Sequence, residues 1–236
     1  MLSASPSSLG FPCTNSQSAY YPGPLQLSKD EITAISQQLE RHHFHPENTR
    51  IQKDVDNGKT VYSVLQASTA SDISPPQLPA EDSNLSIRLV RGDHSAELLR
   101  ICENLSKAME CTANKRQTDV ISQYIQSFET GDLEQYRESQ RIWVADKAPR
   151  VESIFGFVEP YRDPLGIRSE FEALVAISNA EETRVLSELV QHSDTFVRRL
   201  PWASGCTENN GKGPFEKALF EAPDFASIHS TSHYVH

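Results

Sequence analysis

Residues Gln140 to Glu172 read QRIWVADKAPRVESIFGFVEPYRDPLGIRSEFE, and this stretch decides the predicted fold. From Val151 onward, apolar, aromatic and β-branched residues are dense, which is typical of a strand. The sequence RDPLG at residues 162–166 has the Pro and Gly of a turn, and a second apolar run begins at Phe171. The stretch therefore predicts two strands joined through a turn.

Capping and turn signals delimit the elements on either side of this strand pair. Ser28 followed by Glu31 is a capping box, Asn57-Gly58 is a favoured hairpin turn, and Asp93 is a candidate N-cap. The hydrophobic period indicates how far each element extends. It predicts helices at about residues 29–42, 94–108, 118–128, 133–146 and 179–200, strands at 49–55, 60–67 and 85–90, and an exposed connection at 68–83.

The composition limits the class of protein. The 236 residues include 32 acidic and 22 basic side chains, a net charge of −10, and this argues against a nucleic-acid partner because phosphate contacts need clustered Lys and Arg. No apolar run approaches the roughly 20 residues of a membrane helix, and the N-terminal MLSASPSSLGF lacks the features of a signal peptide. The four cysteines form no CxxC pair, which predicts buried, reduced thiols. We therefore expect a soluble, cytoplasmic protein with no membrane partner.

Glu159 and Tyr161 are the first candidates for chemistry. Two positions apart on a strand, their side chains would point to the same face. A carboxylate facing a cleft can bind the N-terminal ammonium of a peptide, and a neighbouring phenolic O–H can donate to a carbonyl on which negative charge develops. A Glu and a Tyr near a turn are more often exposed or structurally hydrogen-bonded, so the residue types alone leave both interpretations open.

The histidines form no catalytic metal motif. None of the eight is followed by Glu, so the pattern HExxxH is absent. His42, His43 and His45 fall at the end of a predicted helix, where the helix dipole favours histidine and a structural role. Glu181 and Glu182 are typical of a helix N-terminus for the same electrostatic reason. No metal ligand is therefore assigned.

The segment WVADKAPRVESIFGFVEPYRDPLG at residues 143–166 resembles the substrate-binding lobe of the dipeptidyl peptidase III family of zinc exopeptidases. The segments LGFP, YYPG, PENTRIQK, YIQSFETGDLE, LPW and FEKALFEAPDFASIH extend the resemblance over about residues 9–229. The resemblance implies an α+β fold, in which a small mixed sheet (a partial β-barrel) is surrounded by helices and followed by the start of a helical second lobe. The implied divisions are an irregular lead-in at 1–24, a lower lobe at 25–178, the start of an upper lobe at 179–222 and a truncated, diverging tail at 223–236.

The resemblance also implies roles for single residues. Glu159 and Tyr161 would help to hold the first two residues of a short peptide substrate, and Tyr161 would act in catalysis by polarising the scissile carbonyl. Glu172 matches another acidic, substrate-binding position near the cleft. Arg162 and Asp163 match a turn that would organise the lobe rather than touch the substrate.

Pro160 departs from the family pattern, which has a small polar residue at this position. Proline has no backbone N–H that an extended peptide could use. This departure weakens the expectation that a peptide docks by adding a strand.

The family reaction is zinc-dependent hydrolysis that releases dipeptides from peptide N-termini. Its zinc is held by HExxxH and by a glutamate from a later EExxxE-like helix, because the ion needs three protein ligands and an open position. This sequence has neither motif, so we expect a truncated chain that binds no zinc or other cofactor and is inactive alone, with exposed apolar faces at Val185, Leu189 and Phe196. The alternative is a non-catalytic peptide-binding or interaction module. A generic acidic scaffold is less favoured, and the sequence does not indicate an oligomeric state.

Overall fold

The computed structural model describes residues 18–72, 74, 76–79, 85–146, 149–160, 163, 165–200 and 231–235. The chain divides into two compact units, Met1–Asp146 with Gly156–Glu172, and Lys147–Phe155 with Ala173–His236. The first unit contains α1 (Lys29–Arg41), β1 (Thr49–Asp56), β2 (Lys59–Ala67), β3 (Gln77–Leu78), β4 (Ile87–Asp93), α2 (Ser95–Met109), α3 (Lys115–Thr130) and α4 (Leu133–Trp143). The chain continues through β5 (Val151–Phe157), β6 (Phe171–Ser178), α5 (Ala180–Gln191), α6 (Ser193–Arg199) and β7 (Thr231–Val235). The lobe boundaries implied at residues 24, 178 and 222 stay predictions.

Helix α1 begins with the capping box that the sequence predicts. The hydroxyl of Ser28 accepts from the backbone N–H of Glu31 at 3.2 Å, and the carboxylate of Glu31 accepts from the backbone N–H of Ser28 at 2.7 Å. The prediction is confirmed. The apolar stripe of α1 is fully buried and packs into one core with residues of the sheet. This core includes Ile32, Ile35, Leu39, Ile51, Val64, Ile87 and Leu89.

A four-stranded sheet in the order β1-β2-β4-β3 packs against this helix. β1 and β2 pair antiparallel as the predicted hairpin. At its tip Asn57 and Gly58 have φ of 51° and 76°, the left-handed conformation that a type I′ turn requires. β4 pairs parallel to β2, and the two-residue β3 pairs antiparallel to β4. The connection predicted at 68–83 therefore contains the short strand β3. Its sequence did not predict a strand, because prolines are rare in strands.

Helices α2 to α4 follow the sheet, and one predicted cap is wrong. The N-cap of α2 is His94, with φ of 55° and no side-chain capping bond. Asp93 does not cap the helix because its carboxylate instead accepts two hydrogen bonds from the guanidinium of Arg50. Asn114 caps α3 and starts it before the predicted residue 118, and Asp132 caps α4. The local pattern located all three helices, and a contact with β1 removed the predicted cap of α2 only.

A second sheet has the order β5-β6-β7. β7 pairs antiparallel to β6 and lies in the tail, where no strand was predicted. The helix predicted at 179–200 is two helices, α5 and α6, separated at His192. No residue of α5 is buried, and the expected exposure of Val185, Leu189 and Phe196 is confirmed.

The predicted α+β class is confirmed. Within the described residues the two sheets are separate, and neither closes into a barrel. None of the described helices is long and apolar enough to cross a bilayer. Cys102 is buried and free as expected, but Cys111 is free and exposed because it lies beyond the end of α2. The prediction of a buried thiol is therefore wrong for Cys111, and Cys13 and Cys206 lie outside the described residues.

Candidate functional site

Glu159 lies directly after β5, which ends at Phe157. It is exposed and sits in the connection to β6 rather than within the strand, so the expected strand placement is wrong at this residue. The backbone N–H of Val158 donates to the carbonyl of Glu170 at 2.9 Å, and the N–H of Glu170 donates to the carbonyl of Glu159 at 3.0 Å. Two successive residues thus oppose one, which is the arrangement of a β-bulge. Bulges are common next to functional sites, where they redirect a side chain.

Glu172 lies on β6 and is exposed. It is two positions beyond Glu170, roughly 7 Å along an extended strand. The pairing therefore places Glu159, in the connection just after β5, opposite the segment that leads into β6 and Glu172, within the first unit. Tyr161 and Arg162 lie outside the described residues, and their predicted roles stay predictions.

Asp163 organises the connection that carries Glu159. It is only 5% exposed, and its carboxylate accepts hydrogen bonds from the backbone N–H groups of Leu165, Ile167 and Arg168 at 3.1, 3.0 and 2.7 Å. It also accepts from the hydroxyl of Tyr21 at 2.6 Å. The organising role predicted for this turn is confirmed for Asp163.

Arg168 is a functional candidate that the sequence analysis missed. Its side chain is fully buried, and its guanidinium donates to the carbonyl and the hydroxyl of Thr49 at 3.0 and 3.2 Å. It lies 5.7 Å from the ring centre of Tyr21. Burial lowers the pKa of Arg168, and the nearby Tyr21 and Asp163 oppose that shift. An arginine after a turn usually looks exposed in sequence, so no local signal would have identified it.

A cavity of about 280 Å³ lies in the first unit, beside the same connection. Phe157 and Phe171, which flank the connection, stack edge to face with their centroids 5.2 Å apart. A side chain at Gly156 would collide with the hydroxyl of Tyr136, so glycine allows these aromatic groups to pack. The lining residues combine aromatic walls with polar groups and include Tyr124, Phe128, Tyr136, Phe157, Phe171, Glu47, Asn48 and Glu170. Glu159 is not among them.

Comparison with known proteins decides the family. The model for Peptidase family M49 matches residues 1–234. The chain belongs to peptidase family M49. It is similar to dipeptidyl peptidase 3 of Dictyostelium discoideum, with 34% identity over 214 residues that make up 91% of this chain and 29% of that protein. It is similar also to dipeptidyl peptidase 3 of Homo sapiens, with 36% identity over 200 residues, 80% of this chain and 26% of that protein.

Solved structures are also similar to part of the chain. The structure of DPP III from Caldithrix abyssi is 22% identical to this chain, has a TM-score of 0.48, and is matched over 78% of this chain and 30% of that one. This M49 chain therefore spans less than a third of the length of the relatives that it matches.

The zinc that the resemblance implies has no matching donor set in the described part of this chain. No group of three His, Cys, Asp or Glu side chains there could hold a metal ion. His42 lies 2.8 Å from the carbonyl of Pro79 through its Nε2 atom, and His45 contacts Arg137 and Glu134. These two histidines therefore make structural contacts, and the described residues do not fit the ion.

Proposed function

We propose that this M49 chain holds the N-terminus of a short peptide through Glu159 and belongs to the substrate-binding part of a dipeptidyl peptidase. The observation that carries the proposal is the exposed carboxylate of Glu159 beside a β-bulge. It occurs in a chain whose family match covers residues 1–234. In the proposal Glu159 accepts hydrogen bonds from the peptide ammonium. Tyr161 donates to the first carbonyls, and Glu172 adds a second negative charge nearby.

The charges around Glu159 support a cationic ligand group. Glu172 is exposed on β6, two positions beyond the residue whose backbone pairs with Glu159, whereas Glu170 lines the cavity. The exposed carboxylates of Glu159 and Glu172 lower the potential at this surface, which favours a cationic ligand group. A peptide carboxylate would not be attracted to this surface.

In the proposal this chain alone does not hydrolyse peptides. The sequence lacks HExxxH, whose histidines hold zinc in the family and whose glutamate is the general base. When zinc is bound in an intact enzyme, it would activate water for attack on the peptide bond. Glu159 would supply binding, and the polarisation of a scissile carbonyl by Tyr161 would give no turnover without an activated water, so this chain has affinity without turnover.

A turnover assay tests the inactivity. The purified chain is incubated with a fluorogenic dipeptidyl amide, with and without added zinc, beside a full-length M49 peptidase as the positive control. We expect no dipeptide release from the 236-residue chain in either condition. Release that depends on added zinc would refute this part of the proposal.

A binding assay tests the role of the peptide N-terminus. Tetra-alanine and its N-acetylated form are titrated into the chain and followed by NMR shifts of the amides around residue 159. An exposed ion pair contributes at most about 1 kcal/mol, which is about fivefold in affinity, so we expect weak binding with a severalfold preference for the free amine. Equal affinity for the two peptides would contradict the proposal.

A non-catalytic interaction module is the second candidate, and an assembly assay distinguishes it from a portion of an enzyme. The chain would then bind peptides without an intact enzyme around it. Amine-dependent binding together with absent turnover supports this module as well as an enzyme portion. Assembly with the remaining parts of an M49 peptidase, followed by recovered turnover, would favour the enzyme portion.

A further inference from the structure

The connection between β5 and β6 is fixed from its inside by one buried carboxylate. Both oxygens of Asp163 are used: Oδ1 accepts from Tyr21 and from the N–H of Leu165, and Oδ2 accepts from the N–H groups of Ile167 and Arg168. A buried carboxylate that accepts several hydrogen bonds holds its donors in place, because each donor left unpaired costs desolvation energy. Asp163 therefore sets the path of the chain from residue 163 to residue 168.

Two side-chain contacts tie this path to more distant parts of the first unit. The hydroxyl of Tyr21 reaches Asp163 across 142 positions of sequence, and the guanidinium of Arg168 reaches Thr49 at the start of β1. Tyr21 is 1% exposed and Arg168 is fully buried. Burial raises the pKa of Tyr21, so its hydroxyl remains a protonated donor. The connection is thereby anchored at two points of a packed core.

The segment that follows Glu159 holds the backbone at Glu159 and Pro160. The carbonyl of Glu159 is paired with the N–H of Glu170, two residues beyond Arg168. The carbonyl of Pro160 accepts from the N–H of Asp163 at 3.3 Å. Two successive carbonyls are therefore held by the segment that Asp163 and Arg168 fix.

Pro160 restricts Glu159 further. A residue before proline is confined to extended conformations, and proline fixes its own φ. The residue that departs from the family pattern thus removes conformational freedom from the proposed amine-binding residue. Less freedom means that less entropy is lost when a ligand is bound.

We propose that Tyr21 and Arg168 are positioning residues, which act through Asp163 and the Glu170 backbone to hold Glu159 in the orientation that binds a peptide ammonium. The inference rests on the proposed function of Glu159. It goes further because it assigns a part in peptide binding to side chains that need not touch the peptide. Loss of either anchor should release the connection and reduce the amine preference without removing any ligand contact.

The substitution Tyr21→Phe tests the inference, because it removes one hydroxyl and keeps the ring in the core. Tyr62→Phe is a matched control. Tyr62 donates to the carboxylate of Glu31 at the same distance of 2.6 Å, in the same unit, and Glu31 belongs to the cap of α1 and not to the connection. Both variants lose one tyrosine-to-carboxylate hydrogen bond and should keep the fold.

Amide exchange gives a readout that does not depend on any peptide. With Tyr21→Phe we expect the amides of Ile167, Arg168 and Glu170 to exchange about fivefold faster, since a hydrogen bond contributes about 1 kcal/mol. With Tyr62→Phe these three amides should exchange as in the unmodified chain. Unchanged exchange in Tyr21→Phe would overturn the positioning mechanism by itself.

The affinity ratio for tetra-alanine and N-acetyl tetra-alanine gives the second readout. We expect Tyr21→Phe to reduce the amine preference to less than half, while Tyr62→Phe keeps it. If the unmodified chain shows no amine preference, the proposed function fails and the inference falls with it. If the unmodified chain shows the preference and Tyr21→Phe retains all of it, only the inference fails.

Discussion

Helices α1 and α5 look alike in sequence and differ in the structure. Each begins with a side-chain cap, has acidic residues in its first turn, and carries apolar residues at helical spacing. In α1 the apolar side chains are 0% exposed, whereas Val185 and Leu189 of α5 are 52% and 45% exposed. The period of a sequence therefore predicts a helix and its apolar face, but not whether that face has a partner.

The difference between the two helices is one of packing energy. Removing a large apolar side chain from water contributes about 1.5–3 kcal/mol, and α1 gains this several times against the four-stranded sheet. In its described surroundings α5 gains little of it. We expect α1 and its sheet to be the stable part of the chain and α5 to open more readily.

The largest predicted effect comes from shortening the same side chain in each helix. Leu39→Ala should lower the free energy of unfolding by about 2–5 kcal/mol, because it leaves a cavity in the core. Leu189→Ala should change it by less than about 0.5 kcal/mol, as exposed positions do. Native-state hydrogen exchange measures both, because it reports the opening of each helix separately. Equal losses would show that the apolar face of α5 is covered.

Two glycines with nearly the same backbone conformation extend the comparison between packed and exposed positions. Gly58 and Gly131 have φ of 76° and 77°, so alanine costs each about 1–2 kcal/mol of backbone strain. A Cβ on Gly58 meets nothing within 4 Å, but on Gly131 it would lie 2.9 Å from Cδ of Gln66 and 3.1 Å from the carbonyl of Ala67. Overpacking adds about 1–3 kcal/mol.

We therefore expect Gly131→Ala to destabilise the chain by about 2–5 kcal/mol and Gly58→Ala by about 1–2 kcal/mol. Urea unfolding of the two variants beside the unmodified chain gives these values. A Gly58→Ala loss as large as that of Gly131→Ala would mean that backbone strain, and not packing, determines the cost.

The smallest predicted effect concerns Glu31 and Glu182, the third residues of α1 and α5. Burial disfavours the ionised form of Glu31, but hydrogen bonds from Lys53, from the Ser28 backbone and from Tyr62 outweigh it and lower the pKa to about 2. The folded state thus holds the charged form more firmly than the unfolded state, whose pKa is 4.5. The stabilisation is complete above about pH 4.5 and is lost as the pH falls towards 2.

Glu31→Gln should therefore cost up to about 1 kcal/mol at pH 7, because solvent still screens this partly exposed pair, and progressively less below pH 4.5. Glu182 occupies the same position in α5, so Glu182→Gln is the control and should change stability by less than about 0.5 kcal/mol. Thermal unfolding between pH 2 and pH 7 compares the two variants with the unmodified chain. A Glu31→Gln loss that does not shrink with acid would contradict the assigned cause.

Much of the local structure could be predicted from sequence, because its signals lie within a few residues. The capping box at Ser28 and the turn at Asn57-Gly58 are examples. The parallel pairing of β2 with β4 and the loss of Asp93 as a cap could not be predicted. Both depend on partners distant in sequence: Asp93 pairs with Arg50 on another strand.

The candidate site divides in the same way. The quoted segment identified Glu159 and the organising turn at Asp163, because rare residue types occur there in a distinctive order. The sequence did not predict Tyr21 and Arg168 as site residues, because they are distinguished by burial and by contacts with residues distant in sequence. A sequence pattern thus marks a candidate binding residue more easily than buried residues whose partners are distant in sequence.

The central claim is that Glu159 binds a peptide N-terminus, and one titration tests it most directly. Tetra-alanine and N-acetyl tetra-alanine are titrated into the unmodified chain and into the variants Glu159→Gln and Glu103→Gln. The Glu103→Gln variant is the control, because it removes the same charge from an exposed position of α2. We predict a severalfold preference for the free amine in the unmodified chain and in Glu103→Gln, and none in Glu159→Gln. An amine preference that survives in Glu159→Gln would contradict the claim.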